Sequence, residues 1–113
     1  MSVFEPEIDL EVHQDPAHYV QFDLNATSKV ITGFAVKLLG WSLTNVSSST
    51  LAQAVIYDGV DTNGVPLFQP NLAASESSRE WFGPNGILLK NGLFINVTAQ
   101  EIKGAVFFRH YRR

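Results

Sequence analysis

Two closely spaced glycine-rich segments are the first candidates for chemistry. Gly83-Pro84-Asn85-Gly86 is followed five residues later by Asn91-Gly92. A phosphate-binding loop of the pattern GxxxxGK[ST] leads into a helix, whose N-terminal N–H groups point at the anion. Here Gly86 is followed by ILLKNG, which has no Lys-Ser or Lys-Thr pair and leaves too few residues for a helix before the next turn. The two segments therefore predict turns rather than a phosphate site.

The turn at Asn91-Gly92 predicts a β-hairpin. Asn-Gly between apolar runs favours a type I′ turn, because both central residues of that turn need a positive φ. Residues 87–90 would form one arm and residues 93–98 the other. Gly83–Gly86 would turn the chain before the first arm.

Three histidines could provide metal ligands. His13, His18 and His110 would meet if the first and last strands paired, and Asp15 lies close to the first two in the chain. Their spacing matches no zinc pattern, and the chain has no cysteine. The sequence therefore favours three separate polar or half-buried histidines, with no metal and no cofactor.

The carboxylates and hydroxyls form no catalytic pattern. Glu7, Asp9 and Glu11 alternate along one strand and share a face. Glycosidase chemistry instead needs two carboxylates on facing elements around a cleft, one with its pKa raised by burial. No Gly-x-Ser-x-Gly or Ser-His-Asp signature is present. The sequence predicts a protein that is not an enzyme and has no catalytic residues.

Four aromatic residues could stack on a sugar: Trp41, Tyr57, Trp81 and Phe82. A sandwich of this size also needs large side chains to fill its core, and that is the favoured interpretation. Trp81 and Phe82 adjoin a loop and alternate sides of a strand. We therefore expect one of them to be exposed and available to a partner.

Short β-strands are the elements that position these residues. Apolar and polar residues alternate in EIDLEV, YVQFDL and GLFINVT, which is typical of strands with one buried face. KVITGFAVKLLGWSLTNV is too long for one strand, so we expect Gly33 and Gly40 to bend it or form a bulge. VPLFQP is bounded by prolines and suits a sheet edge. About eight such strands predict a single all-β domain over residues 1–113, a jelly-roll-like antiparallel β-sandwich with residues 1–6 as an N-terminal extension.

Charge is unevenly distributed along the chain. The net charge of −3 argues against a nucleic-acid binder. Residues 1–28 contain six acidic and no basic residues, whereas residues 102–113 contain four basic and no acidic ones. These ends could attract each other within one subunit or between subunits, and the alternative is two separate solvated faces. The residues assigned to partner binding are Glu5, Glu7, Trp81, Phe82, Arg109, Arg112 and Arg113.

The remaining composition bears on localisation. Without cysteine there are no disulfides, and MSVFEPEIDLEV lacks the basic start and apolar run of a signal peptide. No apolar run approaches the length of a membrane span. We expect a soluble protein that is made in a reducing compartment and binds no membrane. The sequons at Asn25, Asn45 and Asn96 are then coincidental.

The C-terminal half resembles a group of viral proteins. AVIYDG, a loop and EWFGPNGILLKNGLFINVTAQEIKGAVFFRHY are similar to small β-rich proteins encoded among the virion genes of tailed bacteriophages. An aromatic-Phe-Gly turn, a Gly-Ile arm, an Asn-Gly-Leu turn and a terminal G-x-V strand recur in them. The likeness covers roughly residues 51–111, and the first half of the chain carries no matching motif.

The resemblance implies a structural protein of the virion, made in the host cytoplasm, with no catalytic residues. One role is a capsid decoration (cement) protein that binds the major capsid protein or other virion proteins and stabilises the shell. Such a protein would be a homo-oligomer, by analogy a trimer. The alternative is a tail-tip or fibre module that binds a host glycan or other tail proteins.

Overall fold

The computed structural model describes residues 16–111, and within them the chain forms β-strands and no helix. The strands are β1 (Ala17–Asn25), β2 (Ser28–Thr32), β3 (Val36–Asn45), β4 (Ala52–Asp58), β5 (Val65–Phe68), β6 (Asn71–Leu72), β7 (Ser77–Trp81), β8 (Ile87–Leu89), β9 (Leu93–Ala99) and β10 (Glu101–His110). Residues 16–111 therefore contain no helix that is long and apolar enough to cross a membrane. The predicted strand EIDLEV and the extension 1–6 lie outside the described residues.

The strands form two antiparallel sheets, which confirms the predicted sandwich. Sheet A has the order β1-β10-β3-β7, and β8 also pairs with β3. Sheet B has the order β2-β9-β4-β5, and β6 also pairs with β4. The first strand thus pairs with the last and the second with the ninth, the nested order of a jelly roll. Ten strands form among residues 16–111 instead of about eight, because the long apolar segment divides into β2 and β3 and the two-residue strand β6 is added.

The core lies between the sheets and follows the predicted alternation. In β1, Phe22 and Leu24 point inward and are 8% exposed, while their neighbours face solvent. Each fully buried side chain of this kind contributes roughly 1.5–3 kcal/mol. The most deeply buried residues include Val36, Leu38, Leu43, Ile56, Leu89, Leu93, Ile95, Ile102 and Val106.

The long apolar segment bends and bulges at its two glycines, as predicted. It breaks between β2 and β3 around Gly33. Within β3, Phe107 of β10 pairs with Gly40 and Phe108 pairs with Leu38, so Leu39 is an extra residue in the ladder. A Cβ on Gly40 would collide with the backbone carbonyl of Glu80 in β7, so this close approach of the strands requires glycine.

The predicted hairpin at Asn91-Gly92 is wrong. β8 pairs with β3 in sheet A, whereas β9 pairs with β2 and β4 in sheet B, so this turn carries the chain between sheets. Gly92 has a φ of 125°, but Asn91 does not have a positive φ, so the turn is not type I′. The Asn91 amide donates to Asp58 Oδ1 (2.9 Å), and the Gly59 amide donates to the Gly92 carbonyl (3.3 Å). The preceding turn is confirmed by a bond from the Gly86 amide to the Gly83 carbonyl (3.2 Å).

Asn45 joins the two sheets at one end of the sandwich. Its side chain is 1% exposed, and its Nδ2 donates to the carbonyls of Thr50 (2.7 Å), Leu72 (3.1 Å) and Ala73 (3.1 Å). Its Oδ1 accepts from the Ser47 amide at 2.9 Å. Asn45 ends β3 in sheet A, and Leu72 belongs to β6 in sheet B. The predicted sequon at Asn45 is therefore a buried structural amide in the folded chain.

Candidate partner-binding face

A row of large side chains crosses the outer face of sheet A. Strand pairing aligns Tyr19 of β1, Phe107 of β10, Gly40 of β3 and Trp81 of β7. The Tyr19 and Phe107 rings are 6.4 Å apart. Gly40 has no side chain, so it separates Trp81 from the other two rings. We call this set the broken row. Tyr19 and Trp81 are each 62% exposed, and exposed apolar surface of this kind often marks an interaction site.

Trp81 and Phe82 take opposite sides, which answers the question raised by their sequence. Trp81 is the last residue of β7, where it pairs with Gly40, and its side chain is on the outer face of sheet A. Phe82 turns inward: its amide donates to the Leu39 carbonyl (2.8 Å), and its ring packs 5.6 Å from Trp41 and 5.3 Å from Phe68. Trp81 is thus free to meet a partner, whereas most of Phe82 is used in packing.

The outer face of sheet A is positively charged overall. The strand register places four cations on this face: Lys37, Arg79, Lys103 and Arg109. It places two carboxylates there, Asp23 and Glu101. Lys103 Nζ lies 3.9 Å from Asp23 Oδ2, and both side chains are at least half exposed. An ion pair of this kind contributes only about 0–1 kcal/mol, so Lys103 remains available to another anion.

Arg109 differs from the other cations on this face. Its Nε atom is buried and, within residues 16–111, meets no hydrogen-bond acceptor. Its strand neighbours in register are Ala17 and Lys37, neither of which offers a carboxylate. Among residues 16–111 no carboxylate forms an ion pair with Arg109, which favours an anionic group from a partner or from another part of the chain.

The two carboxylates influence each other. A side-chain hydrogen bond with Asp23 is the main reason that the pKa of Glu101 is raised above its ordinary value of 4.5. Desolvation and the Asp23 charge act in the same direction, and Lys103 opposes them. Both carboxylates lie on one open sheet face rather than on facing walls of a cleft, so they do not form an acid–base pair of the glycosidase type.

A shallow open depression lies beside the broken row. Its volume is about 680 Å³. It is lined by Tyr19, Gln21, Phe22, Asp23, Ser42, Lys103, Gly104, Ala105 and Phe107. The small residues come from neighbouring strands and lower the floor, while Tyr19 and Phe107 form its apolar border. This arrangement is suited to holding a protruding group by contact.

The four aromatic residues considered as an alternative sugar platform do not form one surface. Trp41 is 5% exposed and donates from Nε1 to Ser78 Oγ (3.2 Å) inside the sandwich. Tyr57 belongs to sheet B, where its ring lies 5.6 Å from Phe94. Trp81 faces outward from sheet A. A platform built from these residues is therefore ruled out by their positions.

The expectation of three separate histidines is wrong for the two that are described. His18 and His110 have ring centroids 5.1 Å apart on the paired strands β1 and β10. His13 and Asp15 lie outside the described residues. In residues 16–111, no cluster of three or more histidine, aspartate and glutamate side chains could hold a metal ion.

The remaining assigned residues are at the chain ends. Glu5, Glu7, Arg112 and Arg113 lie outside the described range, and their role in partner binding stays a prediction. Sequence reasoning missed Tyr19 and Phe107 as surface residues, although alternation in YVQFDL places Tyr19 opposite the buried Phe22. Their alignment with Trp81 depends on strand register, which is not visible in any local pattern.

Comparison with known proteins gives a fold likeness at most. No protein-family model matches the sequence, and no curated protein matches it. Solved structures that resemble the chain include a structure of infectious bursal disease virus, Gx strain, with 15% identity and a TM-score of 0.28, and the VP2 subviral particle of that virus, with 12% identity and a TM-score of 0.30. Each match covers 85% of this chain but only 30% and 31% of the viral chains. TM-scores this low do not establish a shared fold.

Proposed function

We propose that this chain is a structural protein of a virus particle, and more specifically a capsid decoration protein that docks through the outer face of sheet A. The observation that carries the proposal is the broken row, in which Trp81 and Tyr19 are exposed on a basic face without a covering element among the described residues. The sequence resemblance to virion proteins of tailed bacteriophages supports the particle role. The jelly roll also serves in viral capsids, but fold analogy alone does not assign a function.

The face indicates the chemistry of its partner. A large aromatic residue surrounded by polar and charged neighbours is a common centre of a protein interface. Here Arg79, Lys103 and Arg109 lie around the row, so the partner should offer an apolar pocket bordered by carboxylates. An acidic patch on the outer surface of a shell protein has this character. Repetition over a shell lets many weak contacts act together.

The direct test counts copies in purified particles of the virus that encodes the chain. Decoration of the shell requires many copies per particle, whereas a handful indicates a tail or fibre position. Particles lacking the protein should lose their contents sooner under heat or osmotic shock. Absence of the protein from purified particles, with normal particle survival, contradicts the proposal.

Two matched variants locate the docking face. Trp81→Ala should reduce incorporation into particles at least about tenfold, since truncation of a central aromatic often costs 2 kcal/mol or more of binding. The control is Phe34→Ala, because Phe34 is 77% exposed in the loop between β2 and β3. Both proteins should melt like the parent. Equal incorporation of the two variants would show that the face of sheet A is not used.

A second candidate function is glycan binding in a tail or fibre. The depression beside the broken row favours it, because Tyr19 and Phe107 border a floor that carries Gln21 and Asp23. Stacking on the rings and hydrogen bonds to the polar groups would hold a sugar ring. A glycan array probed with the parent and with Tyr19→Ala tests this function: binding that depends on Tyr19 supports it, and no binding removes it.

A further inference from the structure

Two imidazole rings come together at the end of the β1–β10 pair. His18 is opposite Phe108 in the antiparallel ladder, and His110 is two residues further along β10. Such diagonal neighbours lie close enough for long or aromatic side chains to touch. The two rings are T-shaped, with centroids 5.1 Å apart and an interplanar angle of 61°.

Phe108 supports both rings from one side. Its own side chain is buried in the core, with 4% exposure. Its ring centroid lies 5.9 Å from that of His18 and 5.6 Å from that of His110. Phe108 therefore acts as a fixed wall, while His18 remains exposed to solvent. The pair has one protected side and one side open to a ligand and to water.

The ring separation matches that of two histidines bound to one metal ion. With Zn–N distances of about 2.0–2.1 Å and a tetrahedral angle, two coordinated imidazoles have centroids roughly 5 Å apart. The observed 5.1 Å lies at this value, so the two strands already hold the rings at the separation that a shared ion requires. The nearest basic residues in register, Arg109 and Lys37, alternate to the outer face of sheet A and do not point at the pair.

We propose that His18 and His110 form a binding site for a divalent transition-metal ion that prefers imidazole ligands, with Zn²⁺ as its representative. Each neutral imidazole contributes one ring nitrogen, and water completes the coordination. The ion would clasp edge strand β1 to the end of β10. This site is independent of the docking face, because the two histidines are on the inner side of sheet A.

The test measures Zn²⁺ binding by isothermal titration of the full chain produced without a histidine tag. The expected result is saturable binding of one ion per chain. Co²⁺ should bind to the same site and give visible absorption bands of a low-symmetry, near-tetrahedral complex. Added Zn²⁺ should raise the melting temperature, since a ligand that binds only the folded state stabilises it.

Variants distinguish this pair from adventitious binding. His18→Ala and His110→Gln should each weaken Zn²⁺ binding at least about tenfold, because loss of even a side chain that only supports a metal ligand typically weakens binding by this factor. His13→Ala is the matched control and should have a smaller effect than either. Melting without metal should be similar for all three. Binding unchanged in His18→Ala and His110→Gln, a larger loss in His13→Ala, or no saturable binding by the parent would overturn the proposal.

Discussion

The outer faces of the two sheets each carry a row of four aligned residues, and the rows differ most at their third position. In sheet A, Gly40 and Trp81 hold the third and fourth positions of the row. The row of sheet B consists, in order, of Val30, Phe94, Tyr57 and Pro66. Sheet B thus has Tyr57 at the position where sheet A has Gly40, and the ring centroids of Tyr57 and Phe94 are 5.6 Å apart.

Both rows have exposed residues at their ends, including Val30 at 47%, but the exposed residues at both ends are aromatic only in sheet A. Phe94 is only 6% exposed beneath its neighbours, whereas Trp81 is 62% exposed beyond the gap. The adjacent outward residues of sheet B, including Ser28, Val55 and Asn96, are uncharged, while those of sheet A include four cations. The row of sheet B is continuous and neutral, and we call it the closed row. The broken row of sheet A is interrupted and basic, in keeping with the docking role proposed for it.

The largest expected effect comes from truncating the closed row. Phe94→Ala should lower the free energy of unfolding by about 3 kcal/mol, because it removes a buried ring. Phe107→Ala, the matched change in the broken row, should cost roughly half as much, since Phe107 is already partly exposed. Urea denaturation of both variants measures the difference. Equal losses would mean that the two rows are packed alike.

The next effect concerns the connection between the faces. Asn45→Ala should lower the free energy of unfolding by about 2–3 kcal/mol, because the carbonyls of Leu72 and Ala73 lose their donor inside the protein. Asn25→Ala, at an exposed sequon, is the control and should change stability little. Thermal unfolding followed by circular dichroism compares them. A neutral Asn45→Ala would show that the sheets are held together without this amide.

A smaller effect is expected from filling the gap in the broken row. Gly40→Ala should cost about 1–3 kcal/mol, because its methyl group meets the Glu80 carbonyl and β7 must shift. Trp81 pairs with Gly40, so its fluorescence maximum should move as its surroundings change. Gly33→Ala is the control, since only a side-chain atom 4.0 Å away would meet that Cβ. If Gly40→Ala and Gly33→Ala give the same fluorescence maximum, a methyl group at Gly40 does not change the surroundings of Trp81.

The smallest effect lies at the acidic corner of sheet A. Since the pKa of Glu101 is raised in the folded chain, the folded state retains a proton that the unfolded state releases. Stability should therefore fall as the pH rises from 4.5 through the raised pKa, and then become level. Glu101→Gln should remove this fall and give a slight gain at neutral pH. Melting temperatures from pH 3 to 7 test it, and parallel curves for parent and variant would contradict it.

Local patterns were enough to predict the strands but not their partners. Alternation placed Phe22 and Leu24 in the core, and the glycines in the long segment marked its bend and bulge. Asn91-Gly92 was misread because apolar runs flank a crossover between sheets in the same way as they flank a hairpin. Which neighbour β8 joins is decided by packing against β3, far away in the sequence.

The candidate sites were harder to predict for the same reason. Trp81 and Phe82 could be assigned opposite sides from alternation alone. By contrast, Tyr19, Phe107 and Trp81 form one row only because three strand registers agree, and His18 meets His110 only through the β1–β10 pair. Asn45 was noticed only as a sequon, because two of the three carbonyls that its amide binds, those of Leu72 and Ala73, are distant in the sequence.

The nesting of β1 with β10 and of β2 with β9 has a consequence for synthesis on the ribosome. A growing chain exposes Phe22 and Leu24 early, but the strand that separates β1 from β3 is not made until residues 101–110 emerge. Sheet A cannot close before then, sheet B cannot close before β9 emerges, and pairing of such distant segments is slow. The nascent chain must therefore keep its apolar strands apart until β9 and β10 are made, and during that time its exposed apolar surface favours aggregation.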